Sequence, residues 1–387
     1  MVRDAMHEEL TRWRSEFPIL ERKVYLINNS LGAMPRKTRE RLTEFADDWD
    51  TDGVEAWHKW LPLVTETADL IGGIIGAPAG QTMMHQNVST LQAILASCFE
   101  FAPPRNKVVF TDLNFPSVAY VWLEHRRIGA RVEVVKSEDG IHPPTGALLD
   151  AIDEETLVVP ISHVLFRSAG VQDVRAIIEK AHAVGAMVLM DSYQATGAVP
   201  FDVTELDVDF CVGGSVKWLC GGPGACYLYV RRDHIESLRP KMTGWFSHKR
   251  PFAFEMGDID YADDIHRFMG GSPSVPALYS ARSGYEIIAE VGVEKIRARS
   301  LHLTRRVMDR ALADGLTVNT PREDEARGGT VCVDFEGSEA ASRTLIERDF
   351  CIDHRPSCGI RISPHFYNTE DECDAIMDEI GRIRSGH

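Results

Sequence analysis

The chain has 387 residues, of which 44% are hydrophobic and 26% are charged, and its formal net charge is −16. This composition is typical of a globular protein, and the length is sufficient for two or three domains. Because the negative charge is spread along the chain, it argues against nucleic acid as a partner and against binding to anionic membrane surfaces.

The amino-terminal part of the sequence predicts a cytoplasmic protein. The first 20 residues carry acids and bases at helical spacing and contain no apolar signal segment. The longest strongly apolar stretch without a charge, residues 70–79, is much shorter than the roughly 20 residues that a membrane span requires. The eight cysteines include no C-x-x-C pair, which predicts free thiols and neither disulfides nor a metal site.

The middle third of the chain shows the clearest alternation of strands and helices. Short valine-rich runs at 107–111, 131–136 and 157–161 are bounded by Pro, Gly and Asp. The stretches between them are long enough for crossover helices, as in an α/β sheet. These three runs are therefore predicted to be strands of one sheet.

The next segment predicts a helix followed by a buried strand. Residues 173–184 place their apolar side chains on one helical face, and Gly185 is suited to ending the helix. The run at 186–190 is uniformly apolar and stops at Asp191. A strand that is buried on both faces of a parallel sheet explains this uniformity best.

Two further strands are predicted at 208–212 and 225–230, so the chain from about 50 to 260 alternates like a doubly wound domain. Ligands of such sheets bind at the carboxyl ends of the strands. Asp191 and the turn at 213–217 both lie at such ends.

The carboxyl-terminal part predicts a smaller α+β domain. Helical periodicity resumes at Ser280, short strands follow near 330–335 and 359–363, and a closing helix starts at Thr369. The predicted units are an amino-terminal segment that packs on the small domain, a large domain, and the small domain itself, at residues 1–50, 51–270 and 271–387.

Two residues are candidates for covalent and electrostatic chemistry. Lys217 lies in a glycine-rich turn, GGSVKWLCGGPG, between apolar neighbours. Burial would lower its pKa and give the neutral amine that a Schiff base needs, whereas a lysine that extends its amine to solvent is the alternative. Asp191 ends an apolar strand. A buried carboxylate requires a cationic partner, for which a pyridinium nitrogen would serve, although strand-end aspartates also act as helix caps.

Three further positions could contact a ligand. Asn87, Ser89 and Thr90 lie at the start of a predicted helix with apolar periodicity. The free backbone N–H groups at this end would form a phosphate site, and the alternative is that these polar residues only cap the helix. Phe115 follows a predicted strand and would stack on an aromatic ring or fill the core. Arg361 would form a fork with a substrate carboxylate or pair with a neighbouring acid.

Together these features are the parts that a pyridoxal phosphate enzyme requires. The sequence resembles the class V aminotransferase family of fold type I pyridoxal phosphate enzymes, in its kynureninase and cysteine desulfurase branch. The motifs that carry the resemblance are, in order, NNSLGAMP (28–35), NFPS (114–117), SHVLFRSA (162–169), DSYQATGAVPFDV (from 191), VKWLCGGPG (from 216), GWFSHKRPFAFE (from 244) and GGSPSVP (from 270). The resemblance implies a large domain with a mostly parallel seven-stranded sheet and a smaller α+β carboxyl-terminal domain.

The resemblance also implies roles at the cofactor. Lys217 would form the imine with pyridoxal 5′-phosphate, Asp191 would pair with the pyridine nitrogen, and Phe115 would stack on the ring. Gln194 would bond the phenolic oxygen, and Ser162 would be another contact. The residues implied to bind the phosphate are Asn87, Val88 and Ser215, with Trp245 and Ser272 supplied across the interface of a homodimer.

For the substrate, a small molecule that is an α-amino acid, the resemblance implies that Arg361 holds the α-carboxylate. Further expected substrate contacts are Asn28, Ser30 and His248.

The sequence departs from both named branches of the family. Val216 stands where kynureninases usually have a tyrosine before the lysine. Val118, directly after the NFPS motif, stands where an aspartate is usual. Cysteine desulfurases carry sulfur on a mobile-loop cysteine, but Cys358 lies only three residues before Arg361, a spacing that is short for such a loop. Cys220 is a second candidate thiol, and a small buried thiol is the alternative for both.

We therefore expect a kynureninase-like lyase or hydrolase that cleaves a side-chain bond of an α-amino acid, because the GWFSH and NNSLG segments are not generic to transaminases. The alternatives are a class V aminotransferase, and a carbon–sulfur lyase, cysteine desulfurase-like enzyme or epimerase on the same scaffold. A non-catalytic binding protein is a further alternative, but it would have no need of Lys217, Asp191 and Arg361 together.

Overall fold

The computed structural model describes residues 9–386, so residues 1–8 of the predicted amino-terminal segment lie outside the described residues. The strands are β1 Val24–Tyr25, β2 Thr82–His85, β3 Lys107–Thr111, β4 Arg131–Val135, β5 Thr156–Ser162, β6 Met187–Asp191, β7 Phe210–Gly214, β8 Cys226–Val230, β9 Thr317–Val318, β10 Val331–Asp334, β11 Phe350–Cys351, β12 Asp353–Arg355 and β13 Gly359–Ile362. The helices are α1 Lys37–Asp52, α2 Trp57–Ile74, α3 Val88–Ala96, α4 Pro116–Glu124, α5 Thr145–Ala151, α6 Val174–Ala183, α7 Arg232–Ser237, α8 Val275–Val291, α9 Val293–Ala313, α10 Ser338–Glu347 and α11 Glu370–Arg384. None of these described helices combines the length and apolarity that crossing a bilayer requires.

In the described part of the chain, seven strands form one sheet in the order β2-β8-β7-β6-β5-β3-β4. Neighbouring strands from β4 to β7 run parallel, whereas β8 is antiparallel to both of its neighbours. Strands β7 and β8 are buried at every residue, and β5 and β6 at nearly every residue. Helices cover both faces of such a sheet, which is why these strands are apolar throughout rather than alternating. The predicted mostly parallel seven-stranded sheet is confirmed.

The predicted strand positions agree with the structure except at β7. The run at 107–111 coincides with β3, but the strand predicted at 208–212 pairs from Phe210 onward. Asp209 lies before the paired residues because its carboxylate accepts the backbone N–H of Val188 at 2.7 Å. This side-chain hydrogen bond lies just before the first residue of β7, and hydrophobicity alone does not reveal that the strand starts after it.

A second core surrounds a smaller antiparallel sheet with the order β12-β13-β10-β9. Helices α9 and α10 pack against this sheet, and α11 packs on these two helices and adds its apolar residues to the same core. The amino-terminal part of the chain joins this body, because β1 pairs with β11 in parallel and Leu26 is completely buried in the second core. The predicted α+β carboxyl-terminal unit is thus present.

Helix α8 packs on the core of the large sheet. Its residues Leu278, Tyr285 and Ile288 belong to the core of the large sheet, and the helix contacts α1 and α2. Gly292, with φ +85°, separates it from α9, so the helical periodicity after Ser280 covers two helices that belong to different cores. The domain boundaries at residues 50 and 270 stay a prediction.

Candidate active site

A cavity of about 500 Å³ lies at the carboxyl ends of the parallel strands. Ser162 ends β5 and Asp191 ends β6, and these two residues are direct neighbours in the sheet register. The start of α3 and the turn after β7 form other parts of the wall. The predicted site residues that line this cavity are Ser30, Asn87, Val88, Phe115, Ser162, Asp191, Gln194, Lys217 and Arg361.

Lys217 extends from the turn after β7 into this cavity, between two aromatic rings. Its Nζ lies 5.4 Å from the ring centroid of Phe115 and 4.5 Å from that of Tyr193. Burial lowers the pKa of Lys217 to about 8, although the nearby Asp191 carboxylate opposes the shift. The amine therefore has the surroundings expected for a nucleophile, and the alternative of a lysine extended to solvent does not hold.

The lowered pKa of Lys217 predicts how cofactor uptake depends on pH. Only the neutral amine attacks an aldehyde, and a pKa of about 8 makes that form dominant above pH 8. The rate at which cofactor-free protein takes up pyridoxal phosphate should therefore rise with pH and level off above about 8, as followed by visible absorbance. A midpoint near the ordinary lysine pKa of about 10.4 would contradict this account.

Asp191 is buried beside this amine, with a relative exposure of 5%. Burial raises the pKa of its carboxyl to about 6, even though the backbone N–H of Tyr193 donates to Oδ1 at 2.9 Å and Lys217 lies nearby. A cation placed against this carboxylate would offset the cost of its burial. The pyridinium nitrogen of pyridoxal phosphate has that charge, so Asp191 fits the predicted role.

The amino terminus of α3 is the part of the cavity wall where the sequence predicts a phosphate site. Asn87 caps the helix, since its Oδ1 accepts the backbone N–H of Thr90 at 2.8 Å. The plain helix cap therefore exists, yet Asn87, Val88 and Ser89 also line the cavity. Free N–H groups and the helix dipole make this end of a nine-residue helix a suitable place for a phosphate.

Gln194 is held by protein bonds at both ends of its amide. Its Nε2 donates to the backbone oxygen of Asn29 at 2.9 Å, and its Oε1 accepts from Trp218 Nε1 at 2.9 Å. The backbone oxygen of Trp218 in turn lies 2.8 Å from His365 Nε2. Because an amide nitrogen carries two hydrogens, Gln194 keeps one donor for a cofactor oxygen.

Arg361 lines the cavity and also pairs with a neighbouring acid. Its Nε donates to Asp353 Oδ1 at 2.7 Å, its Nη2 donates to Asp353 Oδ2, and its Nη1 donates to the backbone oxygen of Phe166 at 2.8 Å. The pairing with a neighbouring acid is thus present, and the fork with a substrate carboxylate stays a prediction. Asp353 and Phe166 leave one N–H on each Nη atom, because a guanidinium has five N–H donors, and a substrate carboxylate would share these with the amide oxygen of Asn29.

Two predicted contacts are not among the residues that line the cavity. Asn28 is fully buried, donates through Nδ2 to the backbone oxygen of Ser363 at 2.8 Å, and accepts from the hydroxyl of Tyr367. Ser215 donates its hydroxyl to the backbone oxygen of Ala225 and lies 2.8 Å from the hydroxyl of Tyr285. Both side chains bond the protein instead of facing a ligand, because neighbouring polar groups already engage them.

Three other predicted contacts lie apart from the cavity within the described chain. Trp245 is 38% exposed and packs against Phe246, and Ser272 is exposed. His248 lines a separate hollow, where its Nδ1 accepts the backbone N–H of Arg250 at 2.9 Å. The roles assigned to Trp245 and Ser272 depend on a second subunit and stay predictions, as does substrate contact by His248.

The two candidate thiols are buried. Cys358 has 1% exposure and donates to the backbone oxygen of Arg167 at 3.2 Å. Burial raises the pKa of Cys220 to about 12, which keeps that thiol protonated. The hydrogen bond with Cys332 lowers the pKa of Cys358, but its burial leaves the sulfur out of reach of a substrate. These surroundings favour the small buried thiol over a sulfur-carrying role.

The cavity wall includes residues that the sequence did not predict as site residues, among them Asn29, Tyr193 and Arg355. With its amide oriented to satisfy both ends, Asn29 donates to Ser363 Oγ at 2.9 Å, and its amide oxygen lies 3.1 Å from Nη1 and 3.2 Å from Nη2 of Arg361. Arg355 Nη2 lies 2.9 Å from Asp353 Oδ2, beside Arg361. Tyr193 stands two positions after Asp191. This closeness to the end of a strand is the feature of the sequence that could have indicated its place in the cavity wall.

A family model described as aminotransferase class V matches residues 24–376. The chain belongs to the class V aminotransferase family. Membership confirms the predicted fold class and the prediction of a pyridoxal phosphate-dependent enzyme, and the paired amine and acid described above fit that cofactor.

Relatives of this class V protein include enzymes with different reactions. It is 29% identical to a kynureninase of Bacillus anthracis over 95% of this chain and 89% of that one. It is equally identical to a protein of Bacillus subtilis described as an uncharacterized aminotransferase, over 95% of this chain and 96% of that one.

Solved structures share the fold at lower sequence identity. A cysteine desulfurase from Thermococcus onnurineus NA1 has a TM-score of 0.86 at 18% identity, and 97% of this chain and 98% of that one are covered. The cystine C–S lyase C-DES, solved as a mutant with glycine covalently linked to its PLP cofactor, has a TM-score of 0.85 at 18% identity, covering 94% and 98%.

Proposed function

We propose that this class V enzyme cleaves a side-chain bond of an α-amino acid, as a kynureninase-like lyase or hydrolase. The observation that carries the proposal is the match to kynureninases over nearly the whole length of both chains. The cavity supports it, because an amine with a lowered pKa, Lys217, and a carboxylate-binding group, Arg361, line the same space.

The residues of the cavity have different roles in such a reaction. When bound, pyridoxal phosphate supplies a sink for electrons released at the α carbon of the amino acid. Arg361 orients the α-carboxylate through the N–H groups that Asp353 and Phe166 leave free. Lys217 Nζ accepts and returns protons, because a pKa near 8 allows both directions near neutral pH.

A screen of the purified protein against α-amino acids with a leaving group on the β carbon tests this proposal. We expect one of them to change the visible absorbance and to release a small side-chain product, identified by mass spectrometry, over many turnovers. Accumulation of the pyridoxamine form after one turnover, with recovery on addition of an oxo acid, would overturn side-chain cleavage.

That second outcome corresponds to the second candidate, a class V aminotransferase. The observation that favours it is the relative from Bacillus subtilis, which matches at the same identity as the kynureninase. A desulfurase-like transfer of sulfur to the protein has less support, because Cys358 and Cys220 are buried.

The role proposed for Arg361 predicts a selective loss of substrate affinity. Replacing Arg361 with glutamine removes two charge-assisted hydrogen bonds to the α-carboxylate, each of which contributes about 1.5–3 kcal/mol. We expect KM to rise by roughly 100-fold or more with a smaller change in kcat, measured by steady-state kinetics. The matched control is Arg343→Gln, since Arg343 is exposed and pairs only with Glu339 on its own helix among the described residues. Equal losses in both variants would contradict a specific role for Arg361.

We also propose that the enzyme is a cytoplasmic homodimer with its active sites at the interface. The support is a cluster of exposed aromatic side chains, Trp245, Phe252 and Phe254, in the segment expected to reach the neighbouring site. Exposed apolar clusters of this kind are typical of interfaces. Analytical ultracentrifugation that found only a 43.2 kDa species in the active enzyme would contradict the dimer.

A further inference from the structure

Tyr193 occupies a position in the cavity that none of the proposed roles uses. Its ring lies on the cavity wall, and Lys217 Nζ is closer to this ring, at 4.5 Å, than to the ring of Phe115, at 5.4 Å. Stacked aromatic rings have centroids about 4.5–7 Å apart. Both aromatic side chains therefore lie beside the atom to which a planar cofactor would be joined.

The neighbouring backbone is shaped to hold this tyrosine. A Cβ atom built on Gly214, the last residue of β7, would lie 2.6 Å from both Cζ and Oη of Tyr193. Any residue other than glycine at position 214 would therefore displace the ring. The backbone N–H of Tyr193 also donates to Asp191, so the ring and the predicted pyridinium partner are fixed together.

The hydroxyl of Tyr193 points toward the end of the cavity where a phosphate site is predicted. Its oxygen lies 3.9 Å from the sulfur of Cys226, and Cys226 lines the cavity together with Val88 at the start of α3. Burial raises the pKa of this hydroxyl well above its ordinary value, so it stays a neutral donor.

We propose that Tyr193 is a cofactor-positioning residue, whose ring forms a second aromatic face for pyridoxal phosphate beside that of Phe115, and that Gly214 is required to accommodate it. This inference rests on the proposed cofactor site. The proposal also fits the presence of Val216 where kynureninases usually have a tyrosine. Tyr193, which follows β6, places an aromatic ring 4.5 Å from Lys217 Nζ in its stead.

Equilibrium dialysis of the holoenzyme against graded concentrations of pyridoxal phosphate tests the proposal, together with circular dichroism of the bound cofactor band. We expect Tyr193→Ala to raise the dissociation constant by roughly three- to tenfold and to reduce the circular dichroism of that band, because one stacking face is lost. Tyr193→Phe should stay within about twofold of the wild type, since the ring is kept. Tyr120→Ala is the matched control, because Tyr120 is 66% exposed on α4 and does not line the cavity.

Two further variants keep the test decisive. Tyr193→Leu preserves apolar volume without a ring, so it replaces the alanine variant if that protein does not fold. Gly214→Ala should weaken cofactor binding in the wild type and weaken it less when Tyr193 is already alanine, because the collision with the ring is then removed and only that with Cys226 Sγ, at 2.7 Å, remains. A dissociation constant of Tyr193→Ala that equals or falls below that of the wild type would overturn this inference but not the proposed cofactor site. A wild-type protein with no bound cofactor and no saturable uptake would overturn the proposed site as well.

Discussion

We expect the Lys217→Ala variant to lose about 10,000-fold or more in kcat. The substitution removes the amine that holds the cofactor, and it removes the only lysine on the cavity wall in the described part of the chain. General acid–base catalysis by one group typically contributes 100- to 10,000-fold, and loss of the covalent attachment adds to this. The measurement is kcat on the substrate found by the screen, with cofactor in excess.

The control for this loss is Lys241→Ala. Lys241 pairs with Glu100 and its side chain is 59% exposed, so its removal should leave kcat unchanged. Addition of a small primary amine to Lys217→Ala should restore part of the activity, because a free amine can replace the missing proton carrier. A Lys217→Ala enzyme that kept a tenth of the wild-type kcat would contradict the assigned role.

Asp191→Asn is expected to lower kcat by about 1,000-fold. An amide has nearly the same shape as the carboxylate but has no charge to keep a pyridine nitrogen protonated, and loss of one preorganised electrostatic group costs 100- to 1,000-fold. Folding should not suffer, because burial already raises the pKa of Asp191 to about 6 and thus disfavours its charged form. Kinetics combined with thermal unfolding of both proteins measures the two effects separately.

The control for the asparagine substitution is Asp173→Asn. Asp173 caps α6 by accepting the backbone N–H of Ala176 at 3.0 Å, and asparagine is an equally good cap. We expect this variant to keep its kcat. If Asp191→Asn were as active as Asp173→Asn, Asp191 would have no role in the chemistry.

The sequence predicted those parts of the fold that depend on local pattern. Strands β3, β5 and β6 are runs of buried residues, so hydrophobicity alone indicated them, and Asp191 stood out because it ends such a run. Lys217 stood out in the same way, in a glycine-rich turn after β7. Polar residues that follow a buried strand are therefore recognisable from the order of residue types along the chain.

The remaining parts depend on contacts between distant segments, which local pattern does not encode. The pairing of β12 with β13 places Asp353 opposite Arg361, and this contact occupies part of the guanidinium. Asn28 was predicted to contact the substrate, but its neighbour Asn29 lines the cavity instead. Asn28 is buried because it bonds Ser363 and Tyr367, more than 330 residues later in the chain. The packing of α8 on the large core likewise follows from tertiary contacts rather than from its periodicity.

The central claim is that Lys217 is the residue that binds the cofactor covalently. Reduction of the purified holoenzyme with borohydride, followed by proteolysis and mass spectrometry of the peptides, tests this claim most directly. We predict that the reduced pyridoxyl group is found on the peptide that contains Lys217. A reduced adduct on another lysine, or none on a protein that had retained its yellow colour, would contradict the account.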